Sequence, residues 1–278
     1  YVNNIKKIFR ELEQDNIDIF NELDIIRKYI DTKKSYLTKR NYLNSIIVLL
    51  QHDNMKNKEI LKEYIKIRDE YNQKYKDDNK DNKKTEKQIN NWVTLKELEF
   101  IKYDLSKNLD DEQTLIHHFM LSFWLEYPIR NDLHNTLIIN RKKYNKLLQE
   151  ELEKQNYLVL DKIPFISISQ YKTFKKYGIK KIMMNDEIQN VLINYLKRNK
   201  TKYILYNIKD KSPMTTEDIT NNFNKLFHKY YPEKQISTTM LRHIITSEKY
   251  GEILQEMKDF ADIMGHDIST AHNIYIKK

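Results

Sequence analysis

Four short stretches carry residue types suited to handling a phosphate. In Tyr127-Pro128-Ile129-Arg130-Asn131-Asp132-Leu133 an arginine follows an apolar run and stands two residues from an aspartate. A guanidinium there can grip phosphate oxygens with a bidentate fork, or merely pair with Asp132 as a structural ion pair. In Ser169-Gln170-Tyr171-Lys172-Thr173-Phe174-Lys175-Lys176-Tyr177-Gly178 a lysine sits between two strand-like runs. An ammonium at such a tip can reach a groove or protonate a leaving oxygen; the bland reading is a lysine that protects a sheet edge. Ser237-Thr238-Thr239-Met240-Leu241-Arg242-His243 opens a helical run, and helix N-termini attract phosphate. Its bland reading is a capped surface helix. In Gly265-His266-Asp267-Ile268-Ser269-Thr270-Ala271-His272-Asn273-Ile274-Tyr275, the glycine suits a helix-closing turn that holds His266 in place. One of 20 tyrosines means nothing by type; Tyr275 matters for its fixed distance from that histidine.

Elements that position these residues are legible from periodicity. Helical spacing marks Val2–Leu12, Ile17–Ile30, Tyr36–Gln51 and Lys58–Tyr71. Ser35 reads as an N-cap for the third of these, and Lys33, Lys34, Lys39 and Arg40 near its start could meet phosphates or simply be solvated. The run from Lys74 to Lys84 is almost wholly polar, without apolar periodicity, and reads as a linker or as the frayed end of a helix. Beyond it, Thr94 and Glu97 form a capping-box signature opening Leu95–Ser106, and Asp111–Glu126 is a strongly apolar helix. Strand-like runs follow at Thr136–Ile139, Tyr157–Leu160, Phe165–Ser169, Gly178–Met183 and Tyr203–Tyr206. Helices return at Asp186–Arg198, Thr216–Tyr230, Thr238–Tyr250, Gln255–Met264 and Ser269–Ile276. The expected architecture is mainly α with a small antiparallel sheet. Residues 1–75 form a helical domain, 76–90 a linker, and 91–278 a mixed domain.

Composition narrows the function classes. The chain has no cysteine, so disulfides and thiolate zinc sites are excluded. No run of 18 or more apolar residues appears, so no membrane partner is expected. The chain opens on Tyr1 without a basic-then-apolar leader, which reads as a trimmed chain or fragment. The net charge of +9 is spread over both halves, as suits a protein touching a polyanion along its length. Heavy use of Asn, Lys, Ile and Tyr points to an AT-rich genome, which also inflates the lysine count.

Taken in order, the stretches give Arg, then Lys between strands, then Arg-His, then Gly-His, then Tyr. In this order the chain resembles the tyrosine recombinases over nearly its full length. Gly265-His266 with Tyr275 nine residues after the histidine is similar to that family's C-terminal motif, and Leu241-Arg242-His243 to its second arginine motif. Pro128-Ile129-Arg130-Asn131-Asp132 resembles the form of the first arginine motif in integrases of large DNA viruses, virophages and related mobile elements. Lys172-Thr173 looks like the Lys-Thr strand-end motif, and the N-terminal helices resemble the SAM-like core-binding domain that clamps DNA.

The resemblance implies a site-specific recombinase that cleaves and rejoins double-stranded DNA through a 3′-phosphotyrosyl intermediate, with neither metal, ATP nor small-molecule cofactor. Tyr275 would be the nucleophile, Arg130 and Arg242 the phosphate clamp, His266 a further donor and Lys172 the general acid, with Lys175 and Lys176 in reserve. Asp132 would orient Arg130. The implied partners are DNA and further copies of the chain, assembled as a tetramer. The implied location is wherever the target DNA lies: host nucleus, cytoplasm or viral factory. Two departures stand out. Thr239 occupies the place of the family's usual His or Lys; it is no base near neutral pH, which leaves His243, His266 or water to take the tyrosine proton. Many members also continue past the tyrosine into a helix that docks on a neighbouring protomer, whereas three residues follow Tyr275 here. Relaxation of DNA by type IB topoisomerase chemistry, and sequence-specific DNA binding without catalysis, are the alternatives. A basic scaffolding protein is the blandest reading.

Overall fold

The computed structural model describes residues 1–52, 58–79 and 83–270. The chain divides into two compact units, Tyr1–Lys84 and Thr85–Lys278.

In the first unit, α1 (Val2–Glu11), α2 (Leu23–Asp31), α3 (Tyr36–His52) and α4 (Lys58–Asp78) surround an apolar core that includes Ile8, Phe20, Ile30, Leu43, Ile46, Tyr64 and Ile67. Ser35 caps α3 as expected, its hydroxyl accepting the Thr38 N–H at 3.1 Å. The expected single helix over 17–30 is instead a 3₁₀ turn, Ile17–Asn21, followed by α2. The buried Tyr64 hydroxyl donates to the Phe20 carbonyl at 2.9 Å, satisfying an acceptor at the point where the helical run breaks. The polar run behind Lys74 belongs to α4 as far as Asp78; Glu86–Asn90, which opens the second unit, forms a short helix, α5, capped by Thr85 and Gln88. The apolar pattern stops at Tyr71, but nothing in these polar residues prevents the backbone hydrogen bonds from continuing.

The second unit is built around α7 (Glu112–Glu126), which is buried on nearly every side, as its uninterrupted apolar sequence requires. Around it pack α6 (Leu95–Ser106), α11 (Asp186–Arg198), α12 (Thr216–Tyr230) and α13 (Thr238–Ile263). The short helices α8 (Arg141–Tyr144), α9 (Gln149–Lys154) and α10 (Phe174–Tyr177) lie in the connections, and a single turn, α14 (Ile268–Thr270), follows α13. The sheet has the order β1 (Leu137–Asn140), β2 (Tyr157–Leu160), β3 (Phe165–Ile168), β4 (Lys180–Met183). It is mixed rather than wholly antiparallel: β1 runs parallel to β2, because α8 and α9 carry the chain back across before β2 begins. The expected strand Tyr203–Tyr206 makes only isolated bridges, Leu137 to Tyr203 and Tyr206 to Pro213.

The two faces of the sheet are distinct. Leu158, Ile166 and Ile168 face the main core with α7, while Tyr157, Val159 and Phe165 face a smaller cluster with Ile139 and Tyr144. No described helix is long and apolar enough to cross a membrane.

Candidate active site

Arg130 and Asp132 lie on the segment that leaves the C-terminus of α7, and that segment is pinned on either side of Arg130. Trp124 donates its indole N–H to the Ile129 carbonyl at 3.0 Å. The Asn131 side chain donates to Thr216 O and Thr220 Oγ1 on α12, at 2.6 and 2.8 Å. The Asp132 carbonyl accepts from Asn156 Nδ2 at 2.8 Å. From α13, Arg242 Nε donates to the Pro128 carbonyl at 2.9 Å.

Arg242 is placed by the same pattern that buries its neighbours. Ser237 caps α13, its hydroxyl accepting the Met240 N–H, and Leu241, Ile244 and Ile245 sink into the core. The guanidinium is therefore half-buried on the edge of that apolar face. Burial depresses its pKa, as does the like charge of Arg130, while Asp132 offsets part of the effect. Burial in turn pushes the Asp132 carboxyl up, against the pull of Arg130, His134, Arg242 and Lys180. These mutual effects put two arginines and one carboxyl within electrostatic reach of each other. Only Nε of Arg242 is used in an intramolecular hydrogen bond, and Arg130 makes no side-chain hydrogen bond or ion pair among the described residues. The remaining N–H donors are unspent.

Lys172 is exposed in the β3–β4 connection and makes no side-chain hydrogen bond, ion pair or ring contact among the described residues. Lys175 and Lys176 are exposed on α10, and Lys176 lies over the Tyr177 ring at 5.0 Å. Thr239 and His243 are exposed in the first turns of α13, beside Arg242. In the first unit, Lys33 pairs with Glu11 and Lys39 with Asp31, both at 3.0 Å, and Arg40 donates to Asn72. Three of the four basic residues expected to meet phosphate are thus held internally; Lys34 is not.

His266 stands elsewhere. The expected break between Tyr250 and Gln255 does not occur, and α13 runs unbroken through Gly251 to Ile263. A glycine in a helix interior costs only about 1 kcal/mol relative to alanine, and neither Pro nor a positive φ interrupts the hydrogen bonding here. The helix ends in the turn expected for Gly265, whose φ is +71°. There His266 N–H donates to Ala261 O at 2.9 Å and Gly265 N–H to Asp262 O at 3.0 Å. Between Arg242 and that turn lies roughly 30 Å of helix axis at 1.5 Å per residue. The structure brings Arg130, Asp132 and Arg242 together, with Thr239 and His243 beside them, and leaves His266 at the opposite end of α13. Tyr275 lies outside the described residues.

Two residues that sequence reading missed help to build the site. Asn156 is 1% exposed; besides holding the Asp132 carbonyl, its Oδ1 accepts the N–H groups of Ser169 and Gln170 at 2.9 and 2.8 Å. It ties the β3–β4 connection to the arginine segment. A lone Asn before a strand carries no signal of this, because its partners are distant in sequence. Lys180, at the start of β4, is the other, and period-two alternation with Ile182 was the available clue. Among the described residues, no group of three or more His, Asp or Glu could hold a metal ion.

No protein-family model matches the chain, and no curated protein matches its sequence. Among solved structures, the crystal structure of XerA recombinase is similar over 98% of this chain and 91% of that one, at 13% identity and a TM-score of 0.38. A similarity of that size identifies neither a family nor an activity.

Proposed function

We propose that the protein cleaves and rejoins DNA strands by tyrosine-recombinase chemistry, with Tyr275 as nucleophile. The observation that carries this reading is the pairing of Arg130 with Arg242, anchored through Pro128 and holding unspent donors around Asp132. The like charge of Arg130, exposed on its segment, bears on the half-buried Arg242; an anion shared between them relieves that repulsion. A phosphodiester fits, since each guanidinium can take a non-bridging oxygen in a preorganised clamp. Attack by the Tyr275 oxygen forms the P–O bond to tyrosine as the bond to the 5′-oxygen breaks, and the reverse step restores the strand without ATP. The Asp132 carboxyl offsets part of the positive charge at Arg242 without a hydrogen bond or ion pair to either arginine among the described residues. The two guanidiniums supply the positive charge that divalent cations supply in other phosphoryl transfers, so cleavage is expected to persist in EDTA.

The test is covalent capture on random-sequence duplexes, denatured in SDS. Wild-type protein should give an SDS-resistant adduct, Tyr275→Phe none, and Arg242→Ala a rate lower by about 10²–10³-fold. An adduct from the phenylalanine variant would move the nucleophile elsewhere; an Arg242→Ala rate within a few-fold of wild type would remove the clamp. A second reading, DNA binding without strand transfer, rests on the position of His266 far along α13 from the arginines. DNA retention on a filter with no adduct from any variant would favour it.

A further inference from the structure

A strand's alternation decides which of its lysines can reach the arginines. In the β3–β4 register, Lys180 stands opposite Ile168 and Ile182 opposite Ile166, while Lys181 stands opposite Ser167 and Met183 opposite Phe165. Directly opposed residues share a face. Ile166 and Ile168 belong to the main core, and Ile182 packs against it, so Lys180 is on the side of α7 and the arginine segment. Lys181 is on the other face, where its ammonium lies 5.7 Å from the Tyr144 ring and 5.8 Å from the Phe165 ring.

The Lys180 ammonium is held by two tyrosine rings, at 4.6 Å from the Tyr171 centroid and 5.4 Å from that of Tyr177. Tyr171 is itself fixed, its hydroxyl donating to the Gly178 carbonyl at 2.6 Å, and it packs against the main core. The connection bearing Tyr171 is fastened through Asn156 to the backbone of Asp132. Asp132 responds to Lys180 as it does to Arg130 and Arg242, and its charge also reaches Tyr171, whose phenol is raised by burial and then by that carboxylate. An edge strand often carries lysine simply to deter pairing with another sheet. That account covers Lys181 equally well and does not explain a cation clasped by rings on the core-side face.

We propose that Lys180, rather than Lys172, is the catalytic residue that donates the proton to the leaving oxygen. The proposal rests on the strand-transfer reading above. As the Tyr275 oxygen bonds to phosphorus and the phosphorus–5′-oxygen bond breaks, the Lys180 ammonium gives its proton to that oxygen and is left as an amine. The tyrosine proton leaves to solvent, and the charges balance. Lys180 is exposed, as Lys172 is, but a strand-borne lysine flanked by two rings needs less ordering than one without a ring contact, and pre-paid ordering is what a proton donor contributes to the rate.

The experiment uses the cleavage junction recovered by sequencing DNA from the wild-type covalent adduct. That junction is synthesised twice, once with the natural phosphodiester and once with sulfur in place of the bridging 5′-oxygen. A thiolate leaves without a proton. Lys180→Ala should cleave the natural junction on the order of 100-fold more slowly than wild type, and the sulfur junction at nearly the wild-type rate. Lys180→Arg keeps the charge but not a transferable proton, and should show the same rescue; it also controls for loss of fold. Wild-type speed from Lys180→Arg on the natural junction would reduce the residue to a charge and overturn the proposal. So would rescue of Lys172→Ala by sulfur with none for Lys180→Ala. Absence of any wild-type adduct would sink strand transfer and the Lys180 role together, whereas an adduct formed equally fast by Lys180→Ala would sink only the latter.

Discussion

As far as Lys249, α13 is fastened to its unit. Leu241, Ile244 and Ile245 are fully buried, Lys249 Nζ donates to the Leu125 carbonyl at 2.9 Å, and Glu248 accepts from the Trp92 indole at 3.1 Å. Beyond Lys249 the same helix loses these supports. Tyr250, Ile253, Leu254 and Phe260 are exposed, with Ile253 at 54% and Phe260 at 61%. Their spacing is that of a packing face, with Met257 between them and Glu252, Glu256, Asp259 and Asp262 on the opposite side. One half of α13 is held by burial of its apolar face; in the other, among the described residues, Ala261 alone is buried, and the helix closes in the turn at Gly265. The candidate site divides along the same line, because Arg242 belongs to the packed half and His266 follows the end of the more exposed one. Burial therefore fixes Arg242 directly, and His266 only through the turn that ties it to the buried Ala261.

The comparison is broken most directly by truncating one apolar residue in each half. Leu241→Ala removes a fully buried side chain and should cost about 2–5 kcal/mol. Ile253→Ala removes one that is more than half exposed, and should change stability by no more than about 0.5 kcal/mol. Urea unfolding at matched protein concentration measures both. Equal losses would mean that the second half is packed after all.

Acid should weaken the unit that holds the packed half. His117, on α7 where it faces Asn222 of α12, is buried, and that burial lowers its pKa to about 4 against an ordinary 6.5. A neutral histidine that resists protonation in the folded state contributes stability above pH 6.5, where both states are neutral. As pH falls from 6.5 towards 4 the unfolded chain binds a proton that the folded one refuses, and stability is lost. The loss should reach on the order of 2–3 kcal/mol. Denaturation midpoints across that window would fall for the wild type, and His117→Gln would flatten this part of the fall. A flat wild-type profile would mean that the ring gains its proton without cost.

Local signals were legible in the sequence. Ser35, Thr94 with Glu97, and Gly265 act within a few residues of themselves, and each caps its helix as expected. The buried helix α7 and the four short strands followed from composition and alternation. What stayed hidden depends on partners far along the chain. Tyr64 binds the Phe20 carbonyl in the 3₁₀ turn from 44 residues away, Asn156 joins two segments, and β1 pairs parallel to β2 across the connection that carries α8 and α9. Arg130 and Arg242 were visible as motifs; that Pro128 anchors Arg242 was not. The continuity of α13 escaped because glycine reads as a boundary, although a helix tolerates one where its φ stays negative.

The smallest effect is expected at the two glycines that bound the more exposed half. Gly251 lies inside the helix with an ordinary negative φ, and an added Cβ would meet nothing within 4 Å. Gly251→Ala should therefore stabilise the second half by roughly 0.5–1 kcal/mol, through the lower backbone entropy of alanine when unfolded. Gly265 has the same open surroundings but a φ of +71°, so Gly265→Ala should cost roughly 1–2 kcal/mol from backbone strain alone. Amide exchange over residues 252–263 reads both, with slower exchange in the first variant and faster in the second. Because the packed half gains nothing from either change, its exchange should stay fixed. Faster exchange in Gly251→Ala would mean that the glycine is needed for a bend at this point, and that α13 spends part of its time as the two helices its sequence suggests.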